Sequence, residues 1–286
     1  MALLEKGSDY DDSNNPFSIT SVGLYISKIS QLAASERFYF RGDGDGLVPH
    51  IGKKWAYGNS GLKSLSIDQE RYLLHRFQRF ANPGLNSDTA LWEVLFLARH
   101  YGLPTRLLDW STNPLVALYF ALGLRADNKE ESQSSGSQSK NFLWAITLHP
   151  NDRRSDIDIL APRSDPLKQD AIPLIRADGS RECMQSGHDA VKIVFPIHNS
   201  TRITAQRGVF TWQSDPRRSI ESYIGTTLPD QNLDIAKLYR WSVPSDLKKR
   251  SDLMIELNSI GIDARAISPD LDGVCNGLLH RELLFS

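Results

Sequence analysis

The sequence predicts an α+β fold in which a helical N-terminal portion packs on a central, mainly antiparallel sheet. Three observations point there. Apolar residues recur at helical spacing through much of the stretch from Ser18 to Leu124. A short aromatic strand, Arg37-Phe38-Tyr39-Phe40-Arg41, interrupts that helical region and ends at Gly42. Beyond a polar low-complexity segment, Lys129–Lys140 (KEESQSSGSQSK), the pattern changes to β-prone runs.

Taken in order, residues 1–16 are polar and acidic and read as a flexible start. A first helix is expected over Ser18–Leu32, with Ile19, Val22, Ile26 and Ile29 on its apolar face. The aromatic strand follows, and Gly42, Gly44 and Gly46 end it in a loop. Ile67–Phe80 reads as a strong helix with Tyr72, Leu73, Phe77 and Phe80 on one face, its first turn favoured by Asp68 and Glu70. Asp88–Tyr101 is a second, capped by Asp88, with Leu91, Val94, Leu95 and Ala98 inward. Gly102-Leu103-Pro104 breaks it, Thr105–Asp109 is brief and extended, and Asn113–Leu124 is a buried helix with Pro114 in its first turn. Strands are expected at Phe142–Leu148, Val191–Ile197, Gly208–Trp212 and Leu238–Val243. The stretch 149–187 is polar and interrupted by prolines, and its pattern predicts no element. A last helix, Ser245–Ile260, is capped by Ser245 and ends at Gly261.

Composition bounds the function without naming one. The chain has 286 residues, with 33 Lys and Arg against 34 Asp and Glu, so its formal net charge is -1. Such a balance excludes a surface that is everywhere a basic footprint for nucleic acid, and leaves room for a local patch. With 40% hydrophobic and 23% charged residues, the chain is an ordinary globular one and not disordered, collagenous or coiled-coil. No apolar run is long enough to span a bilayer, and the N-terminus lacks the pattern of a secretory signal. Cys183 and Cys275 have no metal spacing and read as reduced thiols. A cytoplasmic protein that makes no membrane contact is the expectation.

The densest chemistry lies in Ala98–Pro114, ARHYGLPTRLLDWSTNP, which holds His100, Tyr101, Arg106, Asp109, Ser111 and Thr112 near turns and helix ends. Two readings stay open for it. The polar groups form a site, or Asp109 and Ser111 cap the next helix and Arg106 pairs internally with Asp109. Arg41 is the second signal. A guanidinium in an aromatic strand needs an anion, and that anion is either a ligand phosphate or a buried partner such as Glu70 or Asp109. Gly42 beside it would permit close approach of a ligand to the backbone. The third is Arg202–Trp212, RITAQRGVFTW, where Gln206 can bond a ligand hydroxyl or be merely solvated. Walker A, HExxH, Gly-x-Ser-x-Gly and Cys/His signatures are missing, so no metal site is expected.

These three segments, in this order, resemble the FRG domain family, named for the tripeptide that here is Phe40-Arg41-Gly42. The likeness runs on through Pro49, the Glu70 helix, HYGLPTRLLDWSTNPLVALYFA at His100–Ala121 and AQRGVFT at Ala205–Thr211. It closes where the last predicted helix runs into LNSIGIDARAISPDLDGV. On that resemblance residues 17–286 form one domain, and the polar segment 129–140 is a loop inserted in it. The motif order is similar to that of ADP-ribosyltransferases of the Arg-Ser-Glu type, which implies an ADP-ribosyltransferase-like fold with NAD as substrate. The resemblance then makes Arg41, Ser111 and Gln206 the candidate catalytic residues. Arg41, Gly42, Tyr101, Arg106, Trp110 and Thr112 become candidates for binding NAD, and Glu70, His100 and Asp109 are further candidates. Gln206 stands where that pattern has a Glu, and an amide cannot take a proton from a nucleophile.

The resemblance implies a toxin or anti-phage effector that transfers ADP-ribose to a protein or nucleic acid, with an antitoxin or regulatory protein as a further partner. Two other readings remain at this level. One is a non-catalytic module that binds a nucleotide or a partner. The other is a nucleic-acid-cleaving toxin using His100, Arg106 and Asp109. If nucleic acid is met at all, it is met by a patch around Arg99, Arg106, Arg202 and Arg207.

Overall fold

The computed structural model describes residues 18–32, 37–43, 46–53, 55–56, 62–63, 65–81, 91–123, 141–148, 173–175, 181–183, 190–196, 200–213, 215–224, 232–233 and 235–285. The expected flexible start at 1–16, the polar loop 129–140 and the Asp88 cap lie outside them. In chain order the elements begin with α1 (Val22–Leu32), β1 (Phe38–Asp43), β2 (Trp55–Ala56), β3 (Leu62–Lys63), α2 (Ile67–Phe80) and α3 (Leu91–His100). They continue with β4 (Leu107–Ser111), α4 (Pro114–Leu122), β5 (Phe142–Leu148), β6 (Pro173–Ile175), β7 (Arg181–Cys183) and β8 (Ala190–Val194). The last are α5 (Thr201–Ala205), β9 (Gly208–Gln213), α6 (Ile220–Ile224), β10 (Asn232–Leu233), β11 (Ile235–Ser242), α7 (Leu247–Ser259), α8 (Ala264–Ile267) and α9 (Leu271–Phe285).

The fold is α+β. Its main sheet runs in the order β10-β8-β9-β4-β1-β5-β11. All its neighbours are antiparallel except the edge pair β10–β8. β6 and β7 form a separate antiparallel pair inside the stretch whose polar pattern gave no prediction.

Alternation along the strands divides the core in two. Phe38 and Phe40 of β1, Leu143 and Ala145 of β5 and Trp241 of β11 meet α1, α4 and α7 on one face. Further along that face, Leu107, Val194, Phe210 and Trp212 meet α2 and α3. The intervening side chains, among them Tyr39, Leu108, Trp144 and Ile193, point to the opposite face, where Leu47 and Ile220 cover them. Two groups of helices therefore stand side by side on one face, with α3 and α4 at the seam.

The helix faces differ from the periodic reading at two places. In α1 the buried line is Val22, Tyr25 and Ile29, while Ile26 is 43% exposed. Tyr25 turns in because its hydroxyl donates to the Pro114 carbonyl at 3.2 Å. In α2 the inward line is Glu70, Leu74 and Phe77, whereas Tyr72 and Phe80 face solvent. A carboxylate sets that rotation. Glu70 must meet its partner inside, and the apolar pattern alone would never turn it there. Ser66 caps α2 with a reciprocal box to Gln69. Asp246, not Ser245, caps α7 by accepting from the Lys249 N–H. The helix α8 falls within the closing segment, and α9 begins in it and runs on to Phe285; the sequence pattern predicted neither.

Candidate functional site

Strand β1 pairs with β5 over six residues and β4 pairs with β9 over five, yet β1 and β4 share only the pair Phe40↔Ser111. The sheet therefore parts where Arg41 and Gly42 would otherwise meet Trp110 and Asp109. A cleft of about 740 Å³ opens there, walled by the end of α3, by α4 and by the α5–β9 turn. Arg41, Ser111 and Gln206, distant in sequence, all line it.

Arg41 spans the parting. Its Nη1 donates to the Asp109 carbonyl at 2.7 Å, in the position a ladder hydrogen bond would otherwise take, and its Nη2 pairs with Asp43. The buried Nε has no partner. From α3, Arg99 donates its Nε to both Asp109 carboxylate oxygens at 3.1 and 3.0 Å, with Nη2 also paired there. Of the two anions expected for Arg41, Asp109 is the one observed.

These charges fix the protonation of the site. Burial alone would raise the Asp109 carboxyl, but the Arg99 and Arg41 guanidiniums outweigh it and hold the group at about 2. Its side chain keeps 42% of its surface, and that surface opens into the cleft. At neutral pH Asp109 is a paired anion, not a proton acceptor. Burial and the cations Arg99 and Lys53 lower His50 to about 4, so this lining residue is neutral at pH 7. His100, with Nδ1 3.5 Å from the Ser200 hydroxyl, is lowered by burial and by Arg202.

Ser111 donates its hydroxyl to the Gln206 carbonyl at 2.7 Å and accepts from the Asn113 N–H at 2.9 Å. It ties β4 to the α5–β9 turn, and Asn113, not Asp109 or Ser111, supplies the side-chain cap of α4. In that turn Arg207 has φ 48, a left-handed conformation that costs a non-glycine residue about 1 kcal/mol or more. The turn leaves the Gln206 amide nitrogen buried and without a partner, in the cleft wall.

Several expected site residues are placed elsewhere. Glu70 and Arg106 form a fully buried pair, both 0% exposed, and neither lines the cleft. Glu70 accepts from the Arg106 main-chain N–H at 2.7 Å and from its Nε at 2.8 Å, and the guanidinium lies over Trp212. Arg106 thus has no surface for NAD, and its expected pairing with Asp109 is replaced by Glu70. Trp110 does border the cleft, but it is 3% exposed with its indole N–H bonded to Thr211, so its ring offers little face to a ligand. Thr112 is exposed and outside the lining, its N–H bonded to the Arg207 carbonyl. Gly42 does touch the cleft, but its missing side chain serves α4. A Cβ there would stand 2.2 Å from both the Ala117 carbonyl oxygen and the Ala121 nitrogen.

Tyr101, 71% exposed, stands at the rim against His100 with ring centres 4.9 Å apart. Of the predicted basic patch, Arg99 and Arg202 reach the cleft. The sequence reading missed His50, Lys53 and Asp43 as lining residues. Only Asp43 carried a signal, two residues along the strand from Arg41. Among the described residues, no group of His, Cys, Asp and Glu could hold a metal ion, and no helix is long and apolar enough to cross a membrane.

One comparison with known proteins identifies a relation. The FRG domain family matches residues 36–131, a span that includes Phe40-Arg41-Gly42 and His100–Ala121 and stops short of Gln206. No curated protein and no solved structure gave a match.

Proposed function

We propose, because the FRG domain family matches residues 36–131, that the cleft binds NAD and transfers ADP-ribose to a macromolecular acceptor, the activity of a toxin or anti-phage effector. The observation that carries this reading is the meeting of Arg41, Ser111 and Gln206 in one cleft at the parting of β1 and β4. In it, Arg41 and Arg99 face the pyrophosphate, as planar guanidiniums do well. Tyr101 at the rim stacks on an aromatic ring, and the free end of the Gln206 amide takes a ribose hydroxyl. The bond from ribose C1′ to nicotinamide breaks with its electron pair leaving on nicotinamide. An acceptor oxygen or nitrogen bonds to C1′ and loses its proton to solvent, since Asp109 is held as an anion.

A second reading, a binding module without turnover, draws on the commitment of the Ser111 hydroxyl and Arg41 to internal bonds. The cleaving toxin has less support, because Arg106 lies on Glu70 and away from His100 and Asp109. Incubating the protein with NAD labelled in the adenylate phosphate and with cell lysate separates them. Transfer of label with nicotinamide release, lost in Arg41→Ala, is expected. NAD binding with neither release nor transfer would establish the module instead, and no NAD binding would sink the transferase and leave only a module for another nucleotide or a partner.

A further inference from the structure

The exposed face of α2 carries a feature its packing does not require. Tyr72, Arg76 and Phe80 lie four residues apart, so they stack along one side of the helix at steps of about 6 Å. Tyr72 is 58% and Phe80 70% exposed. The Arg76 guanidinium lies 5.5 Å from the centre of one ring and 5.2 Å from the other, and donates to the Tyr72 hydroxyl at 2.9 Å. His75 and Arg79 are exposed beside them. The fold gains nothing from two aromatic rings left in water, since Glu70, Leu74 and Phe77 already anchor this helix.

The helix that carries this row also reaches the cleft rim. Phe77, on the inner side of the same helix, packs against Tyr101 with ring centres 6.5 Å apart, and Tyr101 stands at the cleft rim. We propose that the Tyr72–Arg76–Phe80 row is a docking track for single-stranded nucleic acid that leads over Tyr101 to the cleft. Charge and shape select this occupant. Arg76 on the track and Arg79 beside it complement phosphates, and planar rings separated by a planar guanidinium offer faces for bases. An acidic peptide would use the charge and leave the rings unused. A duplex keeps its base faces stacked inside and cannot use them. The local track also fits a molecule whose formal net charge is -1, because it needs no basic field over the whole surface. That such a strand is the acceptor of ADP-ribose rests on the reading of the cleft given above; the docking itself does not.

The test is fluorescence anisotropy with a labelled mixed-sequence single-stranded oligonucleotide, as RNA and as DNA, a duplex of the same sequence, and polyglutamate as competitor. The full chain should bind the single strands more tightly than the duplex, with affinity falling as salt rises. Tyr72→Ala with Phe80→Ala should weaken binding about tenfold or more. Arg76→Ala should weaken it and flatten the salt dependence. Wild-type affinity in the double variant, equal binding of duplex, or displacement by polyglutamate as effective as by unlabelled strand would each overturn the track. Circular dichroism checks that the variants are folded, and Tyr72→Phe, which keeps the ring, should bind as wild type. Nicotinamide release from NAD, measured with the strand and with cell lysate as acceptors, reports on the cleft. Strand binding with no release in either mixture would retain the track and remove the transferase reading.

Discussion

Arg41 donates a 2.7 Å hydrogen bond to the main-chain carbonyl of Asp109, at the point where the two halves of the sheet separate. The side chain of one strand thus satisfies the backbone of the next and holds the cleft open while closing its floor. A buried carbonyl left unpaired would destabilise the fold, so the arginine serves the fold as well as the proposed site.

Replacing Arg41 by Lys tests this bridge. One ammonium cannot serve the Asp109 carbonyl and the Asp43 carboxylate with the geometry of a guanidinium. A loss of about 1–3 kcal/mol in urea unfolding is expected, together with weaker binding of ADP-ribose by calorimetry. A variant with wild-type stability and affinity would contradict the bridging role.

The Glu70–Arg106 pair predicts asymmetry between single and double variants. Glu70→Gln leaves the buried guanidinium without its counter-charge and should cost about 3–5 kcal/mol. Glu70→Leu with Arg106→Met should recover part of that. Recovery is incomplete, because the Arg106 main-chain N–H, bonded to Glu70 at 2.7 Å, then lacks an acceptor and keeps a penalty of about 1–3 kcal/mol. A double variant less stable than either single variant would refute this account.

Gly42→Ala should be far more damaging than its single methyl suggests. The added Cβ would strike main-chain atoms of Ala117 and Ala121 at 2.2 Å, and a helix backbone cannot yield as a side chain can. The expected result is insoluble protein or a melting temperature lowered by many degrees. Near wild-type melting would show that α4 does not sit on β1 as described.

Acid should destabilise the protein in two windows. His50 is kept neutral with a value near 4 against an ordinary 6.5, so the unfolded chain binds its proton first. Its contribution is complete above 6.5 and is lost as pH falls toward 4. Asp109, lowered from 3.8 to about 2, contributes above 3.8 and loses its effect between there and 2. Urea midpoints measured from pH 8 to 3 should fall in the first window, and His50→Gln should flatten that fall. An unchanged slope in this variant would remove His50 as the cause.

Gln206→Glu addresses the proposed chemistry. A carboxylate at this position can accept a proton that the amide cannot, so nicotinamide release from NAD should rise about tenfold or more. Gln206→Ala should lower NAD affinity. If Gln206→Glu leaves release unchanged while NAD still binds, this residue does not face the reacting ribose.

Much of the fold was legible because local rules and tertiary packing agreed. β5 falls at Phe142–Leu148 and α2 at Ile67–Phe80, as their patterns predict, and Asn113-Pro114 starts α4 with a cap and a first-turn proline. Where they disagreed, long-range polar contacts prevailed. Glu70 rotated α2 about its axis to reach Arg106, and the Pro114 carbonyl drew Tyr25 inward in place of Ile26.

By itself the sequence determined the α+β class, the family resemblance and the three segments that meet in the cleft. Those depend on propensity, periodicity and motif, which are properties of neighbouring residues. The tertiary structure alone decided which polar residues of those segments line the cleft and which hold the fold. Arg41 and Arg106 are both arginines in motif-dense segments, yet one lines the cleft and the other is sealed on Glu70. A guanidinium goes where a carboxylate desolvated by the rest of the chain awaits it, and that location is set by contacts between residues 36 positions apart.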